Sequence, residues 1–162
     1  LVHSGNYSFT EAELPKIREA GVKVSFDFSD DSDNAYYRQV APHVDYAFCS
    51  FDGSDEAVRE HLRKVHSLGP ELVCASRGAA GCVLYDGADF YVQPAAKLER
   101  VVDTMGAGDY LISSFLVGYT HRRKAGADRP AAIREALAAA AEFAASICQV
   151  EGAFGFGVPY QE

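Results

Sequence analysis

Short apolar runs alternate along this chain with longer segments of helical periodicity, and that alternation is what most constrains the fold. Val22–Phe28 is the clearest run. Val22, Val24, Phe26 and Phe28 fall on one face and Lys23, Ser25 and Asp27 on the other, the period of a strand. Val2–Gly5, Asp45–Ser50 and Leu72–Ser76 read as further strands. Between them lie helix signals. Phe9-Thr10-x-x-Glu13-Leu14 has the form of a capping box with a hydrophobic staple, although Pro15 draws the start toward Leu14, and Gly21 stops the helix. Asn34–Val40 is a short helix ended before Pro42. Ser54 caps a helix with Asp55 and Glu56 in its first turn, Val58, Leu62 and Val65 on its apolar face, and Gly69 past its end.

Cys82–Tyr85 and Phe90–Gln93 flank Asp86-Gly87, a hairpin signal. Leu98–Val102 reads as another strand, leading through Asp103–Asp109 into a helix that runs to about Tyr119. A long helix from about Pro130 to Gln149 follows, and Gly152, Gly155 and Gly157 mark an irregular tail. Strands and helices in this order predict an α/β chain: a mostly parallel sheet with one hairpin, covered by helices on both faces in three layers, as a single compact unit.

Charge narrows the function. Lys and Arg total 15 and Asp and Glu 23, a net charge of −8. Such a surface repels phosphate backbones, so nucleic acid is not expected as a partner. No run reaches the ~18 apolar residues of a membrane span, so no membrane partner is expected either. Cys49, Cys74, Cys82 and Cys148 lie in apolar runs without a Cys-x-x-Cys pair, which reads as reduced, buried thiols and a cytoplasmic protein. The five histidines read as structural or surface residues, and the chain as one that starts in mid-fold at Leu1.

Chemistry concentrates in Val101-Val102-Asp103-Thr104-Met105-Gly106-Ala107-Gly108-Asp109. A glycine-rich turn that opens a helix at the carboxyl edge of a parallel sheet is where such folds bind ligands. Small residues let backbone N–H groups approach an anion, and the helix N-terminus adds partial positive charge. Asp109, in the first turn, faces the same space. A carboxylate beside an anion hole suits phosphoryl transfer, where it accepts a hydroxyl proton while amides hold phosphate charge. A plain turn with a helix-capping aspartate is the bland alternative, and two aspartates bracketing Thr-x-Gly-Ala-Gly favour the functional one. Neither a P-loop, nor protein-kinase signatures, nor a dinucleotide fingerprint is present.

Asp103-Thr-x-Gly-Ala-Gly-Asp109 resembles the C-terminal signature of the ribokinase-like (PfkB) carbohydrate kinases. Ser76-Arg77-Gly78-Ala79-Ala80-Gly81 resembles the family's Thr-x-Gly-x-x-Gly phosphate turn, Gly152-Ala153 its Gly-Ala beside the nucleotide and a monovalent cation, and Asp86-Gly87 its hairpin. Phe26-Asp27-Phe28-Ser29-Asp30 and Pro42-His43-Val44-Asp45 look most like the members that phosphorylate fructoselysine. The resemblance implies a three-layer ribokinase-like fold, of which residues 1–162 would be the C-terminal, nucleotide-side portion, without the sugar-binding Gly-Gly motif and lid.

It also implies roles. Asp109 would be the catalytic base, and Gly106, Ala107 and Gly108 the anion hole. Ser76, Gly78, Gly81, Thr104, Gly106, Gly108 and Gly152 would line the nucleotide, with the Ala141–Ala145 helix face against adenine. Asp103 would order the loop and a nearby cation. ATP and Mg2+ would be cofactors, with K+ as a candidate monovalent ion. The substrate would be a small sugar or a fructosamine such as fructoselysine, phosphorylated at the 6-hydroxyl; ribose, fructose or a non-catalytic nucleotide-binding role are the alternatives. A homo-oligomer through an exposed sheet edge is a further expectation. The chain departs from the family at its Asn-x-x-Glu pair, where Ser50 and Gly53 stand, leaving Asp52, Asp55 or Glu56 as substitutes. Asp30-Asp31-x-Asp33 reads as a solvated acidic loop, Asp27 as a residue lining the site, Tyr36-Tyr37 as packing, and His121–Lys124 as a complement to a helix dipole.

Overall fold

The computed structural model describes residues 1–153, so the expected tail glycines Gly155 and Gly157 lie outside the described residues. The chain forms two compact units rather than one. The first holds residues 1–77 and 82–92; the second holds residues 78–81 and the chain from 93 onward. The division follows from the chain after Gln93, which among the described residues adds no strand to the sheet and pairs its two long helices with each other.

The sheet has six strands: β1 (Val2–Gly5), β2 (Val24–Asp27), β3 (Tyr46–Ser50), β4 (Leu72–Ser76), β5 (Cys82–Tyr85) and β6 (Phe90–Gln93), ordered as in the sequence. β1 to β4 pair in parallel and β5 runs antiparallel to β4. Gly5, Asp27, Ser50 and Ser76 therefore end their strands at one edge. The crossovers carry α1 (Leu14–Glu19), α2 (Asn34–Val40) and α3 (Asp55–His66).

The Val22–Phe28 alternation held a trap. On its second face Lys23 is exposed, but Ser25 is fully buried, like Val24 and Phe26, and its hydroxyl bonds His3 Nδ1 at 3.0 Å. A parallel strand buried on both sides needs such a partner for its polar residue. Phe26, Phe28, Leu14, Val40, Val58 and Leu62 form the centre of this core. At the other end of the strands, buried Asp45 ties β2 to β3, accepting from Val24 N at 2.7 Å and Lys23 Nζ at 2.9 Å, with Arg18 at 3.5 Å. Burial alone would lower the Lys23 pKa, but bonds to Glu71 and Asp45 outweigh it and raise it to about 12.

Two local expectations are corrected. The Thr10 capping box does not form; Thr10 makes no side-chain cap, its hydroxyl pairs with Ser4, and a 3-10 turn over Glu11–Glu13 precedes α1 with Pro15 in its first turn. Leu98–Val102 is not a strand. Val101 and Val102 are exposed, and the amides of Val102 and Asp103 both donate to the Cys148 carbonyl instead of to a sheet neighbour.

The second unit is a helical hairpin of α4 (Ala107–Lys124) and α5 (Arg129–Ile147). α4 outruns its expected end by a turn, and His121, Arg122, Arg123 and Lys124 fill its last turn, where cations suit the dipole. Ala132, Ala136 and Ala140 are fully buried on α5 with Ile133 and Leu137; Ile112, Phe115, Leu116 and Tyr119 are buried on α4. Alanines at this spacing let two helices approach closely.

Candidate active site

α4 begins without a side-chain cap. Asp33, Ser54 and Asp128 cap α2, α3 and α5, each accepting a first-turn amide, but the N-cap of α4 is Gly106, in the left-handed region at φ 80°. A Cβ on Gly106 would lie 3.0 Å from the Ala153 Cβ, so conformation and space both call for glycine. The Ala107 amide is taken by the Thr104 carbonyl at 3.1 Å. Among the described residues no backbone carbonyl receives the Gly108 or Asp109 amide, as at the first turn of a helix. Gly108 has nothing within 4 Å of where a Cβ would stand, and Asp109 is exposed beside it. The start of α4 thus presents backbone donors and a carboxylate on an open surface.

Asp103 holds this loop. Its Oδ1 accepts from Met105 N at 2.9 Å and its Oδ2 from Gly152 N at 3.0 Å. Backbone bonds from Met105, then Gly152 and Thr104, keep its pKa below the ordinary carboxylate value. Gly152 itself has φ 71°. On α5, Ala141 is buried and Ala145 half-buried, while the Phe143 ring between them is exposed and 5.0 Å from that of Tyr110.

The turn at residues 78–81 is a short 3-10 helix closed by Gly81 N to Gly78 O at 3.0 Å. Its glycines differ. A Cβ on Gly81 would overlap the Gln93 carbonyl at 2.1 Å, so chain packing accounts for that glycine; Gly78, at φ 53°, faces open space.

In the first unit, Ser76 ends β4 with its hydroxyl 3.1 Å from that of Ser50 at the end of β3. Near this edge is a cavity of about 450 Å3 whose lining includes Asp30, Asp31, Asn34, Ser50, Asp52 and His61. Asp30 and Asp31 therefore face a cavity, whereas Asp33 caps α2. Asp27 accepts from Ser29 N at 2.9 Å. His61, expected as a structural or surface residue, lines this cavity. It stacks on Phe51 with centroids 4.5 Å apart, its Nε2 is 3.7 Å from Cys49 Sγ, and burial lowers its pKa. The available signal was topological: loops after adjacent parallel strands meet at the carboxyl edge. All four cysteines are free and buried; burial pushes the Cys49 thiol up to about 12, which makes it unreactive.

Among the described residues, no group of three or more His, Cys, Asp or Glu side chains is arranged to hold a metal ion. Ser50 brings a hydroxyl and Gly53 no side chain, so these positions do not supply a magnesium-organising pair. No helix among them is long and apolar enough to cross a membrane.

Residues 1–157 match the model of the pfkB family of carbohydrate kinases, and the chain belongs to that family. It is 40% identical over 162 residues to fructosamine kinase FrlD of Bacillus subtilis (strain 168), covering 99% of this chain and 54% of that protein. It is 36% identical over 142 residues to fructoselysine 6-kinase of Escherichia coli (strain K12), covering 88% and 52%. The chain thus spans about half the length of the curated relatives it matches. Among solved structures, aminoimidazole riboside kinase from Salmonella enterica superposes with a TM-score of 0.75 at 22% identity, covering 98% of this chain and 59% of that one. A Vibrio cholerae O395 fructokinase, bound to fructose, ADP and potassium, gives 0.73 at 20%, covering 93% and 55%. These likenesses show the ribokinase-like fold.

Proposed function

We propose that this chain is the nucleotide-side portion of a kinase that transfers the γ-phosphoryl group of ATP to a fructosamine, fructoselysine being the reference substrate, at its 6-hydroxyl. The observation that carries the reading is the start of α4: among the described residues only α1 and α4 of the five α-helices begin without a side-chain cap, and of those two only α4 carries a carboxylate, Asp109, in its first turn. The substrate class rests on the identity to fructosamine and fructoselysine kinases.

In this reading the acceptor oxygen attacks the γ-phosphorus, the bond from that phosphorus to the β–γ bridging oxygen breaks, ADP departs, and Asp109 takes the hydroxyl proton. Gly106 and Gly108 let the phosphate approach the backbone, and amides at the helix start receive its developing charge. Ser76, Gly78, Gly81, Thr104 and Gly152 are assigned to the nucleotide, and Ala141 and Ala145 to the helix face near its base. Asp103 fixes the loop, and a monovalent cation is assigned to its neighbourhood. Magnesium accompanies nucleotide phosphates in kinases generally, bound largely through the phosphates themselves.

The test is a coupled ADP-release assay on the full-length protein with fructoselysine, fructose and ribose. Turnover that is highest with fructoselysine supports the reading. ADP binding without phosphoryl transfer to any sugar replaces it with a nucleotide-binding role.

A further inference from the structure

The loop between β3 and α3 departs most from the family pattern, and the structure shows what fills its place. Gly53 stands where a carboxylate would be expected. A Cβ there would be 3.1 Å from Cε1 of Phe51, whose ring is stacked on His61. A side chain at 53 therefore requires that ring to move.

Arg77 reaches this loop from the end of β4. Its Nη2 donates to the Gly53 carbonyl at 2.9 Å and its Nη1 to Asp55 Oδ1 at 2.7 Å. One planar guanidinium thus grips the loop backbone and the first residue of α3. The Arg77 side chain is 16% exposed and that of Asp55 82%, so the arginine is the seated partner. An ordinary exposed ion pair contributes little. Here one arm goes to a backbone carbonyl and the fork is mostly covered, which gives the contact directional strength. Two more bonds join the same strand ends: Phe51 N donates to Ser76 O at 3.0 Å, and the Ser50 and Ser76 hydroxyls pair.

We propose that Arg77 is a positioning residue for the nucleotide site: its clasp on Gly53 and Asp55 fixes the β3–α3 loop against the end of β4 and so fixes Ser76. This rests on the reading of Ser76 as a nucleotide-lining residue. Arg77 acts through its neighbours and does not itself touch the reacting atoms.

The experiment uses the full-length protein with Arg77→Ala, Arg77→Lys and Asp55→Asn, reading ADP affinity by calorimetry, KM for ATP and for sugar, kcat, and Tm. Arg77→Ala is expected to weaken ADP binding and raise the KM for ATP about three- to ten-fold, the lower part of the range of couplings between contacting residues, with the KM for sugar unchanged. Arg77→Lys should fall between, because an ammonium lacks the fork that spans both acceptors. Asp55→Asn should show a smaller effect that is not additive with Arg77→Ala. A lowered Tm with ADP affinity and KM for ATP unchanged overturns the proposal. If Arg77→Ala does not fold, the lysine variant decides on the same readouts. No ADP binding by the unmutated protein overturns the nucleotide reading and this proposal together; binding that Arg77 does not influence overturns this proposal alone.

Discussion

Asp103 and Gly152 stand 49 residues apart in sequence, yet the carboxylate of the first accepts the amide of the second at 3.0 Å. The same carboxylate accepts from Met105. The loop that opens α4 and the chain that leaves α5 are thus pinned by one side chain.

That pin sets a pH dependence. Hydrogen bonds from Met105, Gly152 and Thr104 depress the Asp103 pKa in the folded protein. A depressed folded value means that its stabilising contribution is complete above the ordinary aspartate value, near 3.8, and is lost as pH falls through the lower folded value. Asp103→Asn should lower Tm at pH 7, and the gap to the unmutated protein should close as the pH drops below that range. Thermal melts from pH 7 to pH 2.5 measure this; a gap that stays constant would show that Asp103 ionisation contributes nothing.

Asp109→Asn in the full-length protein should lower turnover by ~10²–10⁴, the usual cost of losing a general base. ADP affinity should stay within a few-fold, since the backbone donors remain. Steady-state rates with calorimetric binding check both halves, and near-normal turnover would remove Asp109 from the base role.

The two glycines at the start of α4 should fail differently. Gly106→Ala imposes a positive φ on a residue with a Cβ and crowds Ala153, which should cost about 1–2 kcal/mol of stability. Gly108→Val meets open space and leaves Tm nearly unchanged, but its branched side chain covers the approach to the amides and should weaken nucleotide binding or turnover. Parallel Tm and binding measurements separate the two; equal behaviour would mean the loop is only a turn.

Asp45→Ala removes the buried acceptor of Val24 N and Lys23 Nζ. Hydrogen bonds to a charged group are worth about 1.5–3 kcal/mol each when buried, and the half-exposed Lys23 discounts its share. A net loss of about 2 kcal/mol in urea unfolding is expected, and a loss under 0.5 kcal/mol would show the pair to be a surface ornament.

β1 is the first strand of the sheet order, and Leu1, Tyr7 and Phe9 near it are exposed. An open parallel edge with apolar neighbours invites pairing. The isolated 162-residue chain should self-associate in light scattering and show little fructoselysine kinase activity. A monodisperse monomer with substantial sugar-dependent turnover would contradict both.

Much of this arrangement could be read from the residues, and the failures have physical causes. β1, β4, β5 and β6 match their expected spans because Gly, Asp-Gly and apolar runs mark their ends locally. The N-cap residue Ser54 acts in its own first turn, which sequence spacing captures, whereas Asp33, expected in a solvated acidic loop, caps α2. Leu98–Val102 had strand composition, but whether a strand pairs depends on a neighbour, and its amides found the end of α5 instead. Thr10 had the pattern of a cap and was claimed by Ser4. In the candidate site, the Asp103–Asp109 loop was visible as a motif, since its residues are contiguous. The His61 wall of the cavity and the Arg77 clasp were not, because each is assembled by the sheet from residues more than ten positions apart.

The Phe51 ring beside Gly53 has a consequence for how this loop can change over time. A larger residue at 53 presses on the ring, which must give by a few tenths of an ångström or be replaced by a smaller residue at 51. A residue at 51 that no longer stacks on His61 gives up that contact in the same step. The two positions are therefore energetically coupled. A side chain is accepted at 53 to the degree that the ring can give by a few tenths of an ångström, and most readily where residue 51 is smaller.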